Sequence, residues 1–163
     1  MNKNRLQKAS LKVLGYEFKE GKDLLESLDY DEDRRYPLYG SVSFVVYTNQ
    51  GKLKVKTISP FVFDGRSGPK IVDFYAPNLG TLEEKLCWLT HDCTGYGLDL
   101  SFKDTNVLLF AMLRDLAGYR PTKAAVIQLA VSLSSSWYGE PKPKDWCFAN
   151  CGLVSTEWIP IAA

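Results

Sequence analysis

The stretch YGSVSFVVYTNQGKLKVKTI, Tyr39 to Ile58, decides what kind of fold this chain adopts. Both halves are rich in β-branched and aromatic residues. Asn49-Gln50-Gly51 lies between them, with a glycine where a tight turn asks for positive φ. A β-hairpin over 39–48 and 52–58 follows. In its second strand Leu53, Val55 and Thr57 point one way and Lys52, Lys54 and Lys56 the other, because side chains alternate along a strand. The sheet therefore has one dry and one wet face. The lysine row is ordinarily just solvated, although it also suits an acidic partner.

Upstream of the hairpin, residues 3–14 and 20–29 read as weak helices, the second with a short stripe of Leu24, Leu25 and Leu28. The acidic run DYDEDRR, Asp29 to Arg35, reads as a solvated loop. Residues 1–35 are therefore expected to form a helical extension. Downstream, SPFVFDGRSGPK (Ser59 to Lys70) is a loop punctuated by Gly65, Gly68 and Pro69, with Asp64 and Ser67 able to hydrogen-bond its backbone. Beyond it the pattern turns helical, at about 81–94, 102–117 and 121–137. Thr81 followed by Glu84 makes a capping box for the first helix, and Pro121 stands in the first turn of the third, where proline costs least. Strands followed by helices imply an α+β fold: a small antiparallel sheet built on the hairpin 39–58, packed with a C-terminal three-helix layer. Residues 1–163 are expected to form a single domain. Its tail, 141–163, carries Trp146, Phe148 and Trp158 and is expected to dock on the body or on a partner.

The composition bounds the function. With 163 residues, 45% hydrophobic and 13% aromatic, the chain can bury a substantial core. Twenty basic against nineteen acidic side chains leave a formal charge of +1, so no global field points to nucleic acid or to an anionic membrane. No run of about 18 apolar residues exists to cross a bilayer. The charged start, MNKNRLQKASLKVLGYEF, does not read as a secretory signal. Four cysteines in such a chain read as reduced thiols, with Cys147 and Cys151 an idle pair rather than a bridge. The expected setting is the cytoplasm, or a virus assembled there.

The sole histidine, His91, lies in KLCWLTHDCTGY, Lys85 to Tyr96. At 100° per residue Leu82, Leu86, Leu89 and Cys93 share a narrow sector that docks on the core. His91 is roughly opposite Leu82, beside Cys87 and near Glu84, facing solvent or a second layer. The next helix, SFKDTNVLLFAMLRDLAGY, is apolar on nearly every side and should be buried. Asp104 sits in its first turn, where the helix dipole favours a carboxylate; if buried it needs a donor. The short link 95–101 makes the two helices antiparallel neighbours and brings His91 level with Asp104.

Three readings of that cluster stand side by side. In the first, His91 is a general base oriented by Asp104, with Asp92 assisting. In the second, Asp64, His91 and Asp92 hold a divalent cation. In the third and plainest, a buried polar network pins two helices together. Cys87, four residues before His91, completes no zinc spacing, and a thiol on the same helix turn is poorly placed to attack. There is no nucleophile elbow, phosphate loop or dinucleotide fingerprint.

Phe61, Asp64, Gly65, Ser67 and Pro69, then His91-Asp92, then Asp104 with the apolar run to Met112, resemble in order and spacing the tailed-phage domain-of-unknown-function family 1353, over residues of about 36–140. Arg66, Gly68 and the late Tyr96 depart from its pattern. The resemblance implies a bacteriophage protein, a virion or assembly component acting by protein–protein contact. Other phage structural proteins or further copies of itself would be its partners, in the virion or the host cytoplasm, and the Asp64/His91/Asp104 cluster would be structural or a vestigial site. The alternatives are a small hydrolase using the His–Asp pair, with or without a cation, and a host-interaction protein. A looser similarity links the adjacent His91-Asp92, with a second aspartate on a neighbouring helix, to phospholipase A2 enzymes. Their glycine-rich calcium loop and dense disulfides are missing here.

Overall fold

The hairpin is where the expectation put it, and the rest of the sheet grows from it. In the computed structural model, which describes residues 5–29, 36–57, 61–63, 80–96, 100–138 and 154–162, strand β3 (Val42–Thr48) pairs antiparallel with β4 (Gly51–Thr57). Val55 lies opposite Phe44 and Leu53 opposite Val46, all four buried. Lys54 and Lys56 are exposed on the other face. Val45, on that outer face between Glu17 and Lys54, is still only 6% exposed. The aliphatic stems of long charged side chains are suited to covering such a residue.

Gly51 corrects the reading of the turn. It is not among the positive-φ glycines, and it opens β4 rather than closing the turn. What requires glycine is close approach: a Cβ there would lie 2.5 Å from both the Ile159 carbonyl oxygen and Trp158 Cζ2. Those neighbours belong to β6 (Val154–Pro160), which pairs antiparallel with β4 and sets Trp158 opposite Leu53. The end of the tail is thus an integral strand of the sheet. Trp146, Phe148, Cys147 and Cys151 lie outside the described residues.

The sheet's other edge overturns the helical reading of the N-terminal region. Val13–Glu20 is a strand, β1, antiparallel to β3, giving the order β1-β3-β4-β6. Tyr16 and Phe18 face the core opposite Val46 and Phe44, while Glu17 faces out. Only a 3-10 turn (Lys8–Ser10) and a five-residue helix, α1 (Lys22–Glu26), remain of the expected helices. The local helical preference was weak, and pairing with an aromatic, β-branched strand outweighs it. Gly21, with φ 80°, makes the sharp link from β1 to α1 beside the Ser41 carbonyl. Nearly all of DYDEDRR lies outside the described residues. A second, two-stranded ladder pairs β2 (Tyr36–Leu38) with β5 (Phe61–Phe63).

Three helices follow: α2 (Leu82–Tyr96), α3 (Phe102–Asp115) and α4 (Pro121–Tyr138). Thr81 caps α2 as expected, with the Glu84 N–H donating to its Oγ1 at 3.2 Å, while Glu84 Oε1 takes the Thr81 hydroxyl at 3.1 Å. Ser101 caps α3 by accepting from the Asp104 N–H. α2 packs against β4, β5 and β6, α3 against α2 and β1, and α4 against α3. Sheet and helices share one core, in which Trp88, Phe44, Leu53, Leu86, Leu89 and Leu108 are fully buried. This is an α+β fold, with strands both before and after the helices rather than before them only. Among the described residues no helix is long and apolar enough to cross a membrane.

Candidate functional site

α2 is more deeply placed than a single apolar stripe would require. Every residue from Lys85 to Thr94 is buried, so its polar side chains must find partners inside the protein. The threonines do so within the helix: Thr90 Oγ1 donates to the Leu86 carbonyl at 2.7 Å and Thr94 Oγ1 to the Thr90 carbonyl at 2.8 Å. His91, 6% exposed, faces the second layer of helices rather than solvent.

Its partner is not Asp104. His91 Nε2 lies 2.9 Å from Asn106 Oδ1 on α3, and Asn106 Nδ2 donates to Ser132 Oγ on α4 at 3.3 Å. This chain of side chains ties α2, α3 and α4 together. Because the Asn106 amide nitrogen is directed at Ser132, its oxygen is left to accept. In that arrangement Nε2 is the ring nitrogen placed to donate to Asn106. Trp88 lies edge-on to the ring, 6.0 Å between centroids.

Asp104 points elsewhere. It is 1% exposed, and its carboxylate accepts from the backbone N–H groups of Arg5 at 2.7 Å and Leu6 at 3.1 Å. The expected His91–Asp104 pairing is corrected by helix geometry. Residues 104 and 106 are two apart and so point to nearly opposite sides of α3. The side that meets α2 belongs to Asn106. Asn106, a polar residue beside the apolar run Val107–Leu113, is the signal in the sequence that points to this contact.

Asp92, 8% exposed, brings Oδ1 to 3.6 Å from His91 Nδ1, beyond hydrogen-bond range. Nδ1 itself has no hydrogen-bond partner, and neither do Trp88 Nε1 and Thr105 Oγ1. Of the expected cation ligands, then, His91 and Asp92 are adjacent and Asp64 lies outside the described residues. Among the described residues no group of three or more His, Cys, Asp or Glu side chains could hold a metal ion.

Among the described residues the two cysteines are poorly disposed to react. Burial pushes the thiols of Cys87 and Cys93 well up, with the nearby carboxylates Glu84 and Asp92 acting in the same direction. Neither supplies the thiolate that attack requires. Lys85, 6% exposed, donates its ammonium to the Glu26 carbonyl at 2.9 Å. Burial lowers its pKa, against the opposing pull of Asp29 and Glu26. An open cleft of about 340 Å³ lies between the start of β1 and the end of α3, lined by Leu11, Val13, Arg114 and Asp115 among others, and not by His91. Comparison with protein-family models, with curated proteins and with solved structures finds no match to this chain.

Proposed function

We propose that this chain acts by contact between protein surfaces, as a virion or assembly component of a tailed phage, and not by turnover at His91. The observation that carries the contact reading is burial of the chemically capable groups. His91, Asp92 and Asp104 are 6%, 8% and 1% exposed. His91 and Asp104 bind groups of the same chain that hold elements together. The phage assignment rests on the order of the Phe61/Asp64-Gly65, His91-Asp92 and Asp104 motifs. Mass spectrometry of purified particles and of their assembly intermediates is expected to find the protein. Its absence from both would overturn the reading in favour of a free host-interaction protein or an enzyme.

A hydrolase is the second reading, and one observation favours it: the buried Nδ1 of His91, with no hydrogen-bond partner, lies 3.6 Å from the Asp92 carboxylate. His91→Gln discriminates, because glutamine can donate to Asn106 but cannot serve as a base. Ester hydrolysis by the wild type that the folded variant lacks would establish catalysis.

A further inference from the structure

The four-stranded sheet turns Phe44, Val46, Leu53 and Val55 into the core, and its other face is charged and largely exposed. The strand register lays that outer face out in cross-strand rows. In the middle row Glu17, Val45, Lys54 and Glu157 stand side by side. The acids of this row are engaged within the chain. Glu157 lies 3.6 Å from the Lys54 ammonium, while Glu17 pairs with Lys19 and accepts from the Tyr47 hydroxyl at 2.9 Å. The lysines above and below are not so engaged. Among the described residues neither Lys52 nor Lys56 has a carboxylate within ion-pair reach. Lys56 is flanked by Ser43 and Ser155, and Lys52 by Tyr47 and Ile159.

The end of the sheet that holds Lys52 is apolar. Gly15 stands opposite Tyr47, with open space where a side chain would be, and Tyr47 is 36% exposed. Leu14, in the bulge before Gly15, is 68% exposed. Ile161, whose N–H holds the Gln50 carbonyl at the hairpin tip, is 59% exposed. Three of the six large apolar side chains exposed among the described residues thus gather at this one end. An apolar patch rimmed by charge marks a contact surface, and tyrosine is among the residues that carry binding energy in one.

We propose that this face docks an acidic segment of a partner protein, with an apolar residue seated against Tyr47 and Ile161 and carboxylates on Lys52 and Lys56. Alternate side chains along β4 repeat at about 7 Å, twice the rise of a strand. An extended partner segment has the same repeat, so acidic residues at every second position meet the lysines in register. The charge layout selects protein over nucleic acid. Glu17 and Glu157 stand on the two sides of the lysine line, so a continuous run of phosphates meets repulsion there. A polypeptide places its carboxylates singly and escapes it. The inference rests on the contact reading above and gives the partner's chemistry.

The test measures fluorescence anisotropy of a labelled peptide, a leucine followed by glutamate at alternate positions, with the full chain. The peptide should bind, and more weakly as salt rises. Lys52→Gln together with Lys56→Gln should weaken it about tenfold, since two exposed pairs are lost. Tyr47→Ser should weaken it at every salt concentration; unchanged binding overturns the apolar seat. A chain carrying Lys22→Gln and Lys103→Gln has the same net charge as the first variant but is altered on α1 and α3, and it should bind as the wild type does. Lys52 is half-buried and the other three lysines are exposed, so these variants leave the core intact. No binding of the peptide, an equal loss in the Lys22/Lys103 control, or equal binding of the peptide with glutamine for glutamate overturns the proposal. Tighter binding of a single-stranded oligonucleotide of equal charge overturns it in favour of nucleic acid. Such a failure would leave the particle result standing, just as absence from particles would leave the sheet face standing.

Discussion

At the scale of single residues, His91 is a structural hub. His91→Ala removes the donor to Asn106 and leaves a buried acceptor and a void. It is expected to cost about 2–4 kcal/mol in urea denaturation. A double-mutant cycle with Asn106→Ala should return a coupling of about 1 kcal/mol; additive losses would mean that the 2.9 Å contact contributes nothing. Because the chain has one histidine, its ring nitrogens can be read directly by ¹⁵N NMR. The proton should be on Nε2, and finding it on Nδ1 would reverse the network. The sequence singled out His91 and placed it off the main apolar stripe. It did not identify Asn106, because which face of α3 meets α2 depends on how the two helices are rotated against each other.

At the scale of elements, the β4–β6 seam shows what a single Cβ can do. Gly51→Ala drives a methyl into the Ile159 carbonyl and the Trp158 ring. It should lower stability by about 1–3 kcal/mol. The urea midpoint reports the loss, and faster amide exchange along β6 should accompany it. An unchanged midpoint would mean that β6 can shift without cost. The hairpin, the three helices, the Thr81–Glu84 cap and the alternation of Lys52, Lys54 and Lys56 were all legible, since periods of 2 and 3.6 and cap chemistry are local signals. β1 and β6 were not. Each is a sheet edge whose strand character comes from its neighbour, β3 for one and β4 for the other.

At the scale of the whole molecule, two tyrosine–glutamate bonds fasten the first turn of α2. Tyr16 on β1 donates to Glu83 at 2.8 Å, and Tyr119, in the α3–α4 link, donates to Glu84 at 2.7 Å. Burial, then the hydrogen bond to Glu83, raises the Tyr16 hydroxyl from its ordinary 10 to about 12. Burial, then Glu84, raises Tyr119 as well. A raised pKa in the folded state means that the linked stability is fully present below pH 10 and is lost as pH rises through about 12. Denaturation midpoints should therefore fall on this alkaline limb. Tyr16→Phe should flatten part of the fall, and an identical slope would show that the bond does not couple sheet to helix.

The sequence by itself determined the α+β class, the hairpin, the helices and the burial of α3, because hydrophobic periodicity and caps act over a few residues. Only the tertiary structure decided that Asp104 holds residues 5 and 6, that His91 meets Asn106, and that both ends of the chain supply strands. Those outcomes depend on long-range pairing and helix rotation, which join residues as far apart in the chain as Gly51 and its strand partner Pro160.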